Sequence, residues 1–216
     1  MGKTAIILGA TGLTGSILLQ RLLDDDSISA IKLFARSSSN VKSPKVKEYL
    51  IDMFQLEKET EHFTGDVVFC CIGTTKSKTP DKETYKKIDY GIPVTAATLA
   101  KRNSISTFIV ISALGANPES SVFYNKVKGE MERDVLQQNI SETYILQPSL
   151  IGGDRDEKRM GEAIAQFFAK TVSFLIPKKY KMIEPETIAK AMQNLMNKPC
   201  AETRITSEKI KEIAEL

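Results

Sequence analysis

The stretch TAIILGATGLTGSILL (residues 4–19) decides the fold. TAIIL is a short, continuous apolar run, the form a strand takes when both of its faces are buried. It passes into a Gly9-x-x-Gly12-x-x-Gly15 turn that opens onto ILLQRLL, where Leu13, Ile17, Leu18 and Leu22 recur at helical spacing. Strand, glycine turn and helix in that order put free backbone N–H groups at the positive end of a helix dipole, where a pyrophosphate's charge is stabilised. Gly12 lets the chain approach such a ligand, Gly15 lets helix and strand pack closely, and Thr11, Leu13 and Thr14 complete the turn. A P-loop is the poorer fit, because no Gly-Lys-Ser/Thr closes the motif and Gly2-Lys3-Thr4 has nothing upstream.

Outward from that turn, apolar runs at residues 4–8, 30–35, 66–71, 106–111 and 142–147 alternate with helical segments. The alternation predicts an α/β domain with a mostly parallel, doubly wound sheet and helices on both faces. Asp89 is expected to cap a helix through TAATLAKRN, with Pro93 near its first turn, and Ser120 and Ser121 to precede a helix over VFYNKVKGEMERDVLQQN. After Pro148 the alternation stops. Residues 149–216 carry the loop IGGDRDEKRMG, a stripe at Ile164, Phe167, Phe168, Val172 and Leu175, and a helix after Pro185. The expected organisation is one domain over 1–216, with a core at 1–148 and a small substrate-binding annex at 149–216. No repeat or long linker divides it.

At 216 residues and 42% apolar content the chain is long and apolar enough for one sizeable core. Thirty basic against 27 acidic side chains leave a net charge of +3, which argues against a nucleic-acid partner. Three cysteines (Cys70, Cys71, Cys200) and one histidine (His62) do not make a zinc cluster, and their odd number fits a reducing compartment. No leader, myristoylation signal or membrane span is read, so a cytoplasmic protein without stable membrane association is expected. The stripe followed by Lys178, Lys179 and Lys181 is read as a wall over a substrate cleft rather than a membrane-surface helix. Cys70 and Cys71, adjacent on a strand, face opposite sides and read as filler, and His62 as solvated.

The second strand, IKLFA, ends at Arg36-Ser37-Ser38, with no acid between Ala30 and Val41. An acid at such a strand end holds a free ribose 2′-hydroxyl, whereas an arginine accommodates a 2′-phosphate. NADP(H) is therefore preferred, with NAD(H) still admitted. Tyr124 and Lys128 stand four apart on one helix face. The spacing alone is weak evidence in a chain with six tyrosines and many lysines. Its weight comes from Ser112, twelve residues earlier at a strand end, where open parallel sheets bind ligands. An ammonium and a cationic nicotinamide nearby both favour phenolate, so Tyr124 is expected to exchange a proton with a carbonyl or alcohol near neutral pH, while Ser112 polarises the oxygen and Lys128 also reaches the nicotinamide ribose.

GATGLTG, VISALGANPESS, FYNKVKGEMERDVL and LQPSLIGGDR together resemble the atypical short-chain dehydrogenase/reductases of the Tat-interacting-protein type, an NAD(P)-binding Rossmann family. The resemblance covers residues 4 to 198. It implies that Cys71, Ile72, Gly73 and Thr74, after the fourth strand, line the cofactor. It implies that Asp52, followed by Met53, meets the adenine, and that Pro148, Ser149, Leu150 and Ile151 flank the nicotinamide. Where many such enzymes carry a catalytic asparagine this chain has Asp89, which departs from a four-residue proton relay.

The leading expectation is an NADPH-dependent oxidoreductase acting on a small carbonyl or alcohol through Ser112, Tyr124 and Lys128, as a monomer or homodimer. Alternatives are an NADPH-binding redox-sensing regulator without turnover, or an epimerase or isomerase of the same fold. Arg155 is read either as a contact for an acidic substrate or as a solvated charge.

Overall fold

A computed structural model describes residues 2–152 and 182–216. Arg155, the stripe from Ile164 to Leu175, and Lys178, Lys179 and Lys181 lie outside the described residues. The chain forms a seven-stranded sheet in the order β3-β2-β1-β4-β5-β6-β7, with every neighbouring pair parallel. The strands are β1 (Lys3–Leu8), β2 (Ile28–Ala35), β3 (Val46–Leu50), β4 (Val67–Cys70), β5 (Thr107–Ile111), β6 (Glu142–Gln147) and β7 (Arg204–Thr206). This is the Rossmann-like α/β architecture expected from the alternation.

Side chains alternate across a strand, so each apolar run feeds two cores. Ala5 and Ile7 of β1 and Val67 and Phe69 of β4 join one core, with Leu18, Leu19 and Leu22 of α1 (Leu13–Leu23). Ile6, Leu8, Val68 and Cys70 join the other, with Ala96, Ala97 and Ala100 of α3 (Ile92–Arg102) and Met131 and Val135 of α4 (Phe123–Leu136). α5 (Pro185–Asn197) and α6 (Ser207–Ala214) complete the first layer through Ile188, Met192, Leu195, Ile210 and Ile213.

Three features depart from the sequence expectation. The tail after residue 148 is partly core rather than annex: β7 adds the seventh strand beside β6, and α5 lies against α1. Leu13 opens α1 but is half exposed, because it sits at the mouth of the glycine turn and not on the packed stripe. Asp89 caps nothing. It lies inside a π-helical turn, Lys87–Gly91, between the short α2 (Lys82–Lys86) and α3, and it is buried.

Candidate active site

Chain order reverses between β1 and β4, and in open parallel sheets the crevice outside the strand C-termini at such a point takes the ligand. Four connections converge at this edge: the turn after β1, Cys71–Thr74 after β4, Ser112 after β5 and Pro148–Ile151 after β6.

The turn after β1 passes a direct test for a pyrophosphate. Gly9 holds φ +85°, a left-handed conformation suited to glycine, and a Cβ on Gly15 would overlap the Gly9 carbonyl oxygen. α1 therefore starts tight against the strand end. Its N-cap is Gly12, with no side-chain cap, so the first-turn amides of Leu13, Thr14 and Gly15 stay open to an anion. Thr11 is exposed at the mouth and Thr14 is buried below it. Beside the turn lies a cavity of about 370 Å³ lined by Ala10, Thr11, Ser16 and the segment Ser37–Val41. Arg36 is exposed at the end of β2, one residue before that segment.

An acid that sequence reasoning missed reaches the same segment from β3. Glu48 accepts Ser38 Oγ at 2.6 Å, and Ser39 N and Oγ at 2.7 and 2.6 Å. These donors hold its carboxyl below the usual carboxylate range. Asp52 caps a 3₁₀ helix (Met53–Glu59), accepting from Phe54 N at 3.0 Å and from Gln55 Nε2 at 3.1 Å, while Met53 is buried. Cys71 Sγ faces α5, 4.0 Å from Met192 Sδ, and Ile72 packs against the opposite core. Ile151 bridges to Ile183, and Pro148 O accepts the Leu114 N–H. Leu150 is half-buried beside them.

The polar centre lies where β4, the π-turn and α4 meet. Lys128 Nζ is 3.0 Å from Asp89 Oδ1 and donates to Ile111 O at 3.4 Å. Asp89 Oδ2 accepts the Thr74 N–H at 2.8 Å. Both charged side chains are almost wholly buried, and Asp89 Oδ1 has no aligned hydrogen bond, so its contact with the ammonium is one of charge. Gly73 lies beside the pair: a Cβ there would stand 3.6 Å from Asp89 Oδ1 and 4.0 Å from Lys128 Nζ. Burial pulls the Lys128 ammonium down, but Asp89 and Tyr124 outweigh it, so Lys128 stays charged.

One turn before Lys128, Tyr124 is 40% exposed. Its ring meets Tyr85 edge-on at 6.5 Å, and Tyr85 donates to Thr74 O at 3.1 Å. Burial of the phenol raises its pKa above the ordinary value. Lys128 opposes that shift and Asp89 adds to it. The depressed phenol expected beside a lone ammonium is thus not what these residues produce by themselves.

Ser112 goes elsewhere. It is buried, and its Oγ donates to Glu132 Oε1 at 2.5 Å. Glu132 also accepts Gln147 Nε2 at 2.9 Å and Arg204 Nε at 2.9 Å. The serine expected to polarise a substrate oxygen instead ties the end of β5 to α4, with its one proton given inward to Glu132, which also holds β6 and β7. Glu132, missed in the sequence, stands eight residues after Tyr124 on the helix face that carries Lys128, and that spacing was the available signal.

The NAD(P)H-binding family matches residues 9–173. FMP52 of Candida albicans, named mitochondrial, is 34% identical over 171 residues, 76% of this chain and 74% of that protein. HTATIP2 of Rattus norvegicus is 30% identical over 201 residues, 91% of this chain and 82% of that protein. In structure, the chain resembles the Helicobacter pylori ADP-L-glycero-D-manno-heptose-6-epimerase (TM-score 0.69, 16% identity, 99% of this chain and 81% of that one). It equally resembles Bordetella bronchiseptica WbmG in complex with NAD (TM-score 0.69, 11% identity, 100% and 77%).

The mitochondrial names of several relatives overturn the cytoplasmic expectation. Its physical basis was too coarse, since free cysteines call for a reducing compartment and do not choose among them. The glycine turn and the family match agree on a nicotinamide dinucleotide as cofactor. The chain belongs to the NAD(P)H-binding family, as an atypical short-chain dehydrogenase/reductase with a Rossmann fold.

Proposed function

We propose that the protein is an NADPH-dependent reductase of a small carbonyl compound, in which Tyr124 gives the carbonyl oxygen its proton. The observation that carries this reading is Tyr124 beside the buried Lys128–Asp89 pair at the strand C-termini. The cofactor supplies hydride transfer when bound. The amides of Leu13, Thr14 and Gly15 hold its diphosphate, and Lys128 fixes the ribose end. A phenol kept protonated at neutral pH suits the donor role of a reductase. Arg36, with Ser37 beside it, supports the preference for a 2′-phosphate over a free ribose. The Glu48 carboxylate is already filled by Ser38 and Ser39, so it shapes the loop instead of taking the 2′-hydroxyl. On this reading the substrate is a small molecule, and the mitochondrial names of the relatives carry over to where this protein works.

The test is NADPH absorbance across a panel of aldehydes and ketones, with Tyr124→Phe beside wild type. Removing the proton donor is expected to lower turnover by roughly 10²- to 10⁴-fold at unchanged cofactor affinity. A wild-type rate in Tyr124→Phe refutes the assignment. The second reading is an epimerase, favoured by the epimerase among the structural neighbours. It predicts no net change in NADPH absorbance but interconversion of a sugar-type substrate.

A further inference from the structure

We propose that Asp89 is a positioning residue that sets the charge around Tyr124: it pins Lys128 and opposes the ammonium's pull on the phenol, so the site is biased towards donating a proton. The inference deepens the reductase reading and rests on Tyr124 as the proton carrier.

Three observations support it. Asp89 is tied on one side by the Thr74 N–H at 2.8 Å and on the other by Lys128 Nζ at 3.0 Å, so the ammonium's position is fixed from the π-turn as well as from α4. An asparagine could accept the same N–H without a charge, so the carboxylate does something the backbone contact does not require. A lone ammonium buried at Lys128 would draw Tyr124 towards phenolate; the carboxylate 3.0 Å from it opposes that pull. The ionisable groups facing this centre among the described residues are few. Lys128 comes from α4, Asp89 from the π-turn and Tyr85 from α2, and at the end of β4 lies the buried Cys70 thiol, pushed up to about 11 and neutral. With the two full charges opposed, the partial burial of the phenol and the Asp89 carboxylate together hold its pKa above the ordinary value.

The test is a ¹³C NMR titration of the full-length protein labelled at tyrosine Cζ, with the Tyr124 signal identified by its loss in Tyr124→Phe. In Asp89→Asn the Tyr124 midpoint is expected to fall by about one pH unit. The alkaline limb of any carbonyl-reduction rate should move the same way. An unmoved or raised midpoint overturns the proposal, and a purely structural role for Asp89 would lower the melting temperature without moving the midpoint. If Asp89→Asn does not fold, because Lys128 is left buried without a counter-ion, Lys128→Met is compared with the double variant Asp89→Asn/Lys128→Met. The double variant must then titrate lower, and equal midpoints overturn the proposal. The titration needs no turnover. A silent substrate panel with a shifted midpoint rejects the reductase reading and keeps the Asp89 coupling, while turnover with a fixed midpoint does the reverse.

Discussion

A serine hydroxyl has one proton to give, and Ser112 gives it to Glu132. To polarise a substrate it would have to break a 2.5 Å bond to a buried carboxylate, which costs about 1.5–3 kcal/mol for a bond to a charged group. Ser112→Ala is therefore expected to destabilise the fold by about 1–3 kcal/mol while leaving turnover roughly unchanged, since Gln147 and Arg204 still hold Glu132. Thermal melting and steady-state rates on the same preparation check it. A collapse of kcat without loss of stability would return Ser112 to the substrate. Tyr124 and Lys128 were legible in the sequence because a spacing of four on a helix fixes a shared face. The aim of Ser112 was not, because a residue one step past a strand end can turn towards either layer. Asp89 was visible as a departure from asparagine, but the partner of its carboxylate comes from a helix 39 residues away.

At the scale of elements, the connection from β2 to β3 borders the glycine turn, and on the proposed reading it is where NADPH is told from NADH. β3 (VKEYL) could not be found from apolar runs, because Lys47 and Glu48 stand side by side in the middle of this edge strand and break any continuous run. With β3 missed, Glu48 was missed too, although its grip on Ser38 and Ser39 shapes the wall of the cavity beside the glycine turn. Arg36 leaves β2 just before that wall and is exposed, and the proposed preference for a 2′-phosphate rests on it. Arg36→Glu is expected to weaken NADPH by roughly ten- to a hundredfold, the worth of a charge-assisted hydrogen bond of about 1.5–3 kcal/mol. NADH should change far less. Titrating both cofactors into both proteins by calorimetry checks this, and equal losses would take the 2′-phosphate away from Arg36. The glycine turn, by contrast, was legible to the residue, since its three glycines answer to backbone sterics inside one short segment.

Across the whole molecule, the sheet's centre was legible because doubly buried strands are continuous apolar runs. The closing elements were not, because β7 is three residues long and acquires its meaning beside β6. α5 ties this end to the beginning of the chain: Gln193 donates to Asp25 at 2.7 Å and accepts from Arg21 at 2.9 Å. Carboxyls held by such hydrogen bonds, near and far in sequence, give the fold its dependence on pH. Burial raises the Asp25 pKa, but hydrogen bonds from Ser27 and Gln193 outweigh it and hold it low; Ser38 and Ser39 hold Glu48 low, and Arg133 holds Asp134 low. A carboxyl with a folded pKa below its unfolded value contributes stability that is present above about pH 4 and lost as pH falls through the folded value. Burial pushes Tyr85 and Tyr124 up, and Asp89 raises Lys128 against its own burial. Groups raised in the folded state contribute stability that is present below about pH 10 and lost as pH rises through their folded values. The two sets bracket a plateau from about pH 5 to pH 9. Melting temperatures at constant ionic strength should be flat across that window and fall on both sides. On the alkaline side, Asp89→Asn should lower the plateau and weaken the fall, because burial without the carboxylate pulls Lys128 down and leaves it no raised folded value to lose. A melting temperature that slopes steadily through neutrality, or an alkaline limb indifferent to Asp89, would mean that the buried pair does not govern stability.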